Sequence, residues 1–110
     1  MEKVKLQAQY GLYINGQWRD ASDGATYNAE SPADGSHLAV CAQGTREDVE
    51  AASAAAWEAF KTWKKTTPAQ RAALLNKIAD IIDANKEHLA MVESMDNGKP
   101  IRETMNVDIP

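Results

Sequence analysis

The spacing of apolar positions changes partway along the chain, at Gly44. Before this point, short apolar runs are separated by turn-forming residues, a pattern typical of strands. Residues 12–19 are interrupted by Asn15-Gly16, a dipeptide that readily takes the positive φ angles of a type I′ turn, and a hairpin is therefore predicted. Further strands are expected over residues 26–30 and 37–42.

After Gly44 the apolar residues recur at spacings of three and four, which predicts amphipathic helices. Thr45 is followed three residues later by Asp48, in the pattern of a capping box, although Glu or Gln is more usual there. Residues 67–70, Thr-Pro-Ala-Gln, are a stronger signal for a helix start, because the N–H that proline lacks would have no partner within the helix in its first turn. The apolar faces are formed by Val49, Ala52, Ala56, Phe60 and Trp63 in the first helix, and by Leu74, Leu75, Ile78, Ile81 and Ile82 in the second.

The second helical stretch is expected to break or restart at residues 83–85, which gives either two consecutive helices or one kinked helix, and the apolar pattern then continues to Gly98. Asn97 and Gly98 tolerate the left-handed conformation that ends a helix, and Pro100 cannot continue one. A further helix is predicted from Ile101 onward.

The run that ends this stretch also resembles a family signature. Residues 93–104, Glu-Ser-Met-Asp-Asn-Gly-Lys-Pro-Ile-Arg-Glu-Thr, are similar to the first helical region of the NAD(P)-dependent aldehyde dehydrogenase superfamily. The resemblance continues over residues 13–18, 31–35 and 107–110. It implies an α/β enzyme of which this chain is an N-terminal segment, itself α+β, with a β-hairpin and short strands followed by helices that flank the Rossmann-like cofactor domain.

The resemblance also implies a domain assignment and a reaction. Residues 12–110 are interpreted as an incomplete N-terminal part of the cofactor-binding domain, and residues 1–11, which lack a clear apolar period, as a flexible N-terminal arm. In the family, a cysteine thiolate attacks an aldehyde, hydride passes to NAD(P)+, and a glutamate-activated water hydrolyses the thioester. These catalytic residues lie beyond the equivalent of Pro110 in the family.

This segment is therefore predicted to be scaffolding, with no catalytic and no cofactor-binding residue, and to be inactive alone. NAD or NADP and the aldehyde would bind to the missing part, and the full-length form is expected to be a homo-oligomer. The competing hypothesis is a truncated, non-catalytic helical interaction module. Its binding surface would be centred on Phe60, Trp63, Leu75, Ile78 and Ile82.

Composition and charge narrow the possible partners and location. The formal net charge of -4 argues against nucleic acid or an anionic membrane surface as a partner, because both favour clustered Lys and Arg. The single cysteine, Cys41, cannot form an internal disulfide and gives no evidence of an oxidising compartment. The first residues lack the apolar core of a signal peptide, so a cytoplasmic location is expected.

Few residues are candidates for chemistry. Cys41 follows Val40 in a predicted strand without neighbouring cations or a helix start, and we interpret it as a small core residue, not a nucleophile. His37 and His88 share no acidic or cysteine cluster at metal-ligand spacing, which gives a transition-metal site little support. The sequence also lacks a glycine-rich G-x-G-x-x-G turn, so a self-contained cofactor site is not expected.

The family resemblance gives Asp108 and Glu30 a sharper role. Many members hold a structural monovalent cation with an aspartate eight residues after the Asn-Gly-Lys-Pro proline and with main-chain carbonyls near a preceding turn, positions that correspond here to Asp108 and Glu30. Hard cations favour such oxygen ligands. The alternative is that Asp108 is simply a polar residue on a helix.

Overall fold

The computed structural model of the chain describes residues 4–110 and shows a mixed α+β arrangement, as the sequence predicts. The strands are β1 (Gln9–Tyr10), β2 (Leu12–Ile14), β3 (Gln17–Arg19), β4 (Thr26–Glu30) and β5 (His37–Ala42), and the helices are α1 (Arg46–Trp63), α2 (Pro68–Ala84), α3 (Lys86–Asn97) and α4 (Ile101–Glu103), the last continuing into a π-helical turn over Thr104–Asp108.

The predicted hairpin is confirmed. Strands β2 and β3 pair antiparallel, with Tyr13 opposite Trp18. Asn15 and Gly16 have φ angles of 53° and 75°, the positive values that a type I′ turn requires of both central residues. The rings of Tyr13 and Trp18 lie 5.0 Å apart between centroids, so this cross-strand pair packs on one face of the hairpin.

A second, three-stranded sheet has the order β1-β5-β4, in which β1 runs parallel to β5 and Gln9 pairs with Val40. Strand β1 lies within residues 1–11, which the sequence predicts to be a flexible arm. A strand of two residues is too short to produce an alternating pattern, so periodicity gives no sign of it. Residues 1–3 lie outside the described residues, and the assignment of residues 1–11 as an arm stays a prediction.

The described residues group into two compact units. The hairpin unit comprises residues 7–29 and 39–66, and the helical unit comprises residues 4–6, 30–38 and 67–110. In the helical unit, the Thr67 side chain accepts a hydrogen bond from the Gln70 N–H, while the Gln70 side chain accepts one from the Thr67 N–H. This reciprocal pair confirms the predicted start of α2.

The predicted break and stop signals of the helical unit are also confirmed. Helix α2 ends at Ala84, and α3 restarts at Lys86. Gly98 then ends α3 in the left-handed conformation with φ 77°, and its N–H donates to the Ser94 carbonyl at 3.0 Å. A glycine is favoured here because a Cβ at this φ would be strained.

Few apolar side chains are buried in the part of the chain that the structure describes. They are Ala21 and Ala39 in the hairpin unit, and Ala90 and Met91 in the helical unit. Three of these four are alanines, which contribute little apolar area. The larger apolar residues of α1 and α2 are exposed to solvent.

Candidate functional site

Helix α1 carries a broad apolar face that is open to solvent. Trp57 is 71% exposed, and Phe60 and Trp63 are each 45% exposed. The rings of Trp57 and Phe60 meet edge to face with centroids 5.9 Å apart, beside a shallow groove of about 330 Å³. We call Val49, Trp57, Phe60 and Trp63 the α1 face.

Helix α2 carries a second apolar face, made of aliphatic side chains. Leu75 is 66% exposed and Ile81 is 55% exposed. At 100° per residue, the apolar positions of α2 fall within one third of the helix circumference, as they do in helices that pack against a neighbour. We call Leu74, Leu75, Ile78, Ile81 and Ile82 the α2 face.

The two faces are the strongest candidates for a functional site. Fully burying a side chain such as Leu or Phe favours association by about 1.5–3 kcal/mol relative to leaving it in water. Contiguous apolar surface on a water-exposed helix therefore favours binding of other apolar surface. The helix spacing of each face fits a packed helix or sheet more closely than it fits a small ligand.

Asp48 fixes the start of α1 within the hairpin unit. Its side chain is 2% exposed and accepts hydrogen bonds from the Ser22 N–H at 3.1 Å and from the Thr45 N–H at 2.9 Å. It also accepts one from the Arg19 guanidinium at 3.1 Å. Because Arg19 ends β3, Asp48 ties the hairpin and its following turn to the first turn of the helix.

These hydrogen bonds also change the acidity of Asp48. The N–H groups of Thr45 and then of Ser22 hold the pKa of the Asp48 carboxyl below its ordinary value of 3.8, because they stabilise the ionised form. Burial acts in the opposite direction and is outweighed. The carboxylate is therefore charged at neutral pH and serves as a structural anchor.

The segment after α3 contains a second cluster of polar interactions, in the helical unit. The Lys99 ammonium donates to both carboxylate oxygens of Asp108, at 2.9 and 2.7 Å. This hydrogen bond raises the pKa of Lys99 above its ordinary value. Nearby, the hydroxyls of Ser94 and of fully buried Thr104 lie 2.9 Å apart. Asp108 is the last residue of the π-helical turn.

The predicted cation ligands have different surroundings. Glu30 ends β4 as an exposed residue, whereas Asp108 is paired with Lys99. Over residues 4–110, no group of three or more His, Cys, Asp or Glu side chains is arranged to hold a metal ion. A monovalent cation at Asp108 would compete with the Lys99 ammonium for the same oxygens. The cation site at Asp108 and Glu30 stays a prediction.

The remaining candidates for chemistry stand apart from the two faces in sequence. Cys41 is a free, half-buried thiol in β5, and His37 and His88 are exposed.

Within the described range, none of the helices combines the length and the apolar character needed to cross a membrane.

Sequence reasoning found the Thr45–Asp48 cap but missed the other partners of Asp48. Arg19 and Ser22 are 29 and 26 residues away along the chain, and no local pattern connects them to the helix start. The one signal available was the aspartate itself, at a position where a longer Glu or Gln is usual.

Comparison with known proteins finds a single family over most of the chain. The model described as "Aldehyde dehydrogenase family" matches residues 18–110. An EPTC-inducible aldehyde dehydrogenase of Rhodococcus erythropolis is 43% identical over 107 residues, which cover 97% of this chain and 21% of that protein. A long-chain-aldehyde dehydrogenase of Acinetobacter sp is 44% identical over 108 residues, covering 98% of this chain and 22% of that protein.

Solved structures give the same result. The NAD+ complex of an aldehyde dehydrogenase from Bacillus cereus matches with a TM-score of 0.88 and 39% identity, over 92% of this chain and 21% of that one. The chain thus spans about a fifth of the length of the relatives that it matches.

Proposed function

The chain belongs to the aldehyde dehydrogenase family, and from this membership we propose that it is the N-terminal scaffolding portion of an enzyme that oxidises an aldehyde to a carboxylic acid with NAD(P)+. The observation that carries the proposal is the exposure of the α1 and α2 faces. In a chain that spans about a fifth of its relatives' length, these faces are suited to pack against the remaining protein.

We assign the chemistry of the reaction to sequence outside this chain. When bound, NAD(P)+ accepts a hydride from the substrate, and the cysteine thioester of the family is formed and hydrolysed beside it. This chain lacks the glycine-rich strand-to-helix turn that would bind a pyrophosphate, and its one cysteine lies in β5. The helices would hold the cofactor-binding sheet in place, and catalytic geometry depends on such support.

The family chemistry is tested by comparing the intact gene product with this chain. We expect the full-length enzyme to reduce NAD+ or NADP+ in the presence of an aldehyde, and the 110-residue chain to give no turnover. Formation of NAD(P)H, followed by its absorbance over a panel of aldehydes, measures both. Turnover by the isolated chain would contradict the assignment of the catalytic residues.

The scaffolding role is tested by charging the α2 face of the full-length enzyme. Leu75→Glu should abolish stable folding and turnover, because it places a carboxylate where apolar packing is proposed. Asn76→Glu is the matched control, since it adds the same charge at an exposed position on the opposite side of α2. Equal stability and activity of the two variants would contradict the scaffolding role.

A helical interaction module remains the second candidate, because the exposed residues Phe60, Trp63, Leu75, Ile78 and Ile82 are those that such a module would use. The two candidates differ in what covers these residues. In the enzyme they are buried within one polypeptide, and in the module they are buried only when a separate partner binds. A gene that encodes 110 residues and no more would favour the module.

Three further properties of the whole enzyme stay predictions: a cytoplasmic location, homo-oligomeric assembly, and a structural monovalent cation held by Asp108 and a main-chain carbonyl near Glu30. Carboxylate and carbonyl oxygens suit such an ion. Crystals of the full-length enzyme grown with a heavier monovalent cation should show anomalous density beside Asp108. Density for the Lys99 ammonium alone at that position would contradict the cation site.

A further inference from the structure

The chain contains two Asn-Gly dipeptides, Asn15-Gly16 and Asn97-Gly98, and the structure gives them opposite surroundings. Asparagine followed by glycine is chemically vulnerable, because glycine has no side chain to shield its backbone nitrogen from the neighbouring side-chain amide. We propose that Asn15 is a site of spontaneous deamidation and that the same reaction is suppressed at Asn97.

Asn15 lies at the open tip of the β2–β3 hairpin. Asn15 and Gly16 are both exposed. Within residues 4–110, neither the Asn15 side chain nor the Gly16 N–H forms a hydrogen bond. A Cβ placed on Gly16 would meet no heavy atom within 4 Å. Both reacting groups are thus free of partners and open to water.

Asn97 lies at the end of α3, where its reacting groups are engaged. The Gly98 N–H, which would be the nucleophile, donates to the Ser94 carbonyl at 3.0 Å. The Asn97 side-chain oxygen accepts a hydrogen bond from the Lys99 N–H at 2.8 Å. A Cβ on Gly98 would lie 2.9 Å from Pro32 Cγ, so this glycine is also crowded. Reaction at Asn97 therefore requires the helix end to open first.

The reaction at Asn15 needs only water as a co-reactant. The Gly16 nitrogen attacks Asn15 Cγ, so an N–Cγ bond forms and the Cγ–Nδ2 bond breaks. The proton from the Gly16 nitrogen leaves with the departing ammonia. Water then opens the resulting succinimide at either carbonyl, which yields aspartate or isoaspartate at position 15. No group is oxidised or reduced.

The two products differ in their effect on the hairpin. Aspartate preserves a dipeptide that is favoured in type I′ turns and adds one negative charge. Isoaspartate inserts an extra backbone carbon into a two-residue turn whose length sets the strand register. Strand β3 carries Arg19, which binds Asp48 at 3.1 Å. We therefore expect the isoaspartate form to weaken the attachment of the hairpin to α1.

Peptide mapping by mass spectrometry tests the proposal on the 110-residue chain, incubated at mildly alkaline pH with and without denaturant. In native buffer, Asn15 should react at least about tenfold faster than Asn97, because the hydrogen bonds that hold Asn97 and Gly98 must open before the Gly98 nitrogen can attack. In denaturant the two rates should become similar. Equal rates in native buffer, or faster reaction at Asn97, would overturn the proposal.

The variant Asn15→Gln is the matched control. Glutamine keeps the amide but would have to form a larger ring. Product at position 15 should therefore fall by at least about tenfold, which corresponds to a rise of about 1.4 kcal/mol in the activation barrier. The rate at Asn97 should stay unchanged. Loss of the Arg19–Asp48 contact in the isoaspartate fraction, followed by NMR, tests the structural consequence. Retention of that contact would contradict it.

Discussion

Replacing an exposed leucine of the α2 face with alanine should have little effect on the stability of this chain and a large effect on that of the full-length enzyme. Leu75 is 66% exposed, whereas Met91, in α3 of the same helical unit, is 7% exposed. In the isolated chain, Leu75→Ala should change the free energy of unfolding by less than about 0.5 kcal/mol, as at other surface positions. Alanine is also the best helix former, so the change carries no propensity cost.

Met91→Ala is the reference for a buried position. It should cost about 2–5 kcal/mol in the isolated chain, through lost transfer energy and the cavity that remains. In the full-length enzyme, Leu75→Ala should also cost about 2–5 kcal/mol, because the same side chain would then be buried. The difference between the two contexts is therefore the free energy of covering one residue of the α2 face.

Hydrogen exchange of the α2 and α3 amides measures these local free energies in both proteins. Urea unfolding followed by circular dichroism gives the corresponding values for the isolated chain. Two results would refute the reasoning. One is a cost of Leu75→Ala in the isolated chain equal to that of Met91→Ala, and the other is a negligible cost in the full-length enzyme.

Three further substitutions test other parts of the structure. Asp48→Asn should remove part of the acid sensitivity of the hairpin unit. Because the pKa of Asp48 is lowered in the folded state, that state binds fewer protons than the unfolded state. The stabilisation by ionised Asp48 is therefore fully present above the ordinary pKa of 3.8 and is lost as the pH falls through the folded-state pKa. Unfolding curves across acidic pH should show a steeper decline for the wild type, and identical declines would contradict this. Thr104→Val should destabilise the helical unit by about 1–2 kcal/mol, because it removes the buried Thr104 hydroxyl that pairs with the half-buried Ser94 hydroxyl, and an unchanged urea midpoint would count against that hydrogen bond. Cys41→Ala should leave turnover of the full-length enzyme intact, and complete loss of turnover with normal folding would show that this thiol takes part in the chemistry.

The elements that could be predicted from sequence are those specified by a few neighbouring residues. The turn at Asn15-Gly16 requires positive φ at both positions, and this dipeptide tolerates it. The start of α2 depends on Thr67 and Gln70, which satisfy each other's N–H groups. Gly98 ends α3 for an equally local reason. Such signals act within a turn or two and can be read without the fold.

The features that escaped prediction depend on residues distant in sequence. The parallel pairing of β1 with β5 places Gln9 opposite Val40. The Asp48 carboxylate accepts hydrogen bonds from Arg19 and Ser22, which lie outside its own helix. The pairing of Lys99 with Asp108 joins residues nine apart, and Asp108 ends a π-helical turn, for which periodicity gives no signal. The family resemblance drew attention to Asp108 but gave no indication of its ion pair with Lys99.

The central claim is that the rest of an aldehyde dehydrogenase covers the α1 and α2 faces. Hydroxyl-radical footprinting of the isolated chain and of the full-length enzyme tests this directly, with Met91 as a residue that should label weakly in both. Trp57, Phe60 and Leu75 should label strongly in the isolated chain, where they are 71%, 45% and 66% exposed, and weakly in the full-length enzyme. Strong labelling of these three residues in the full-length enzyme would contradict the claim.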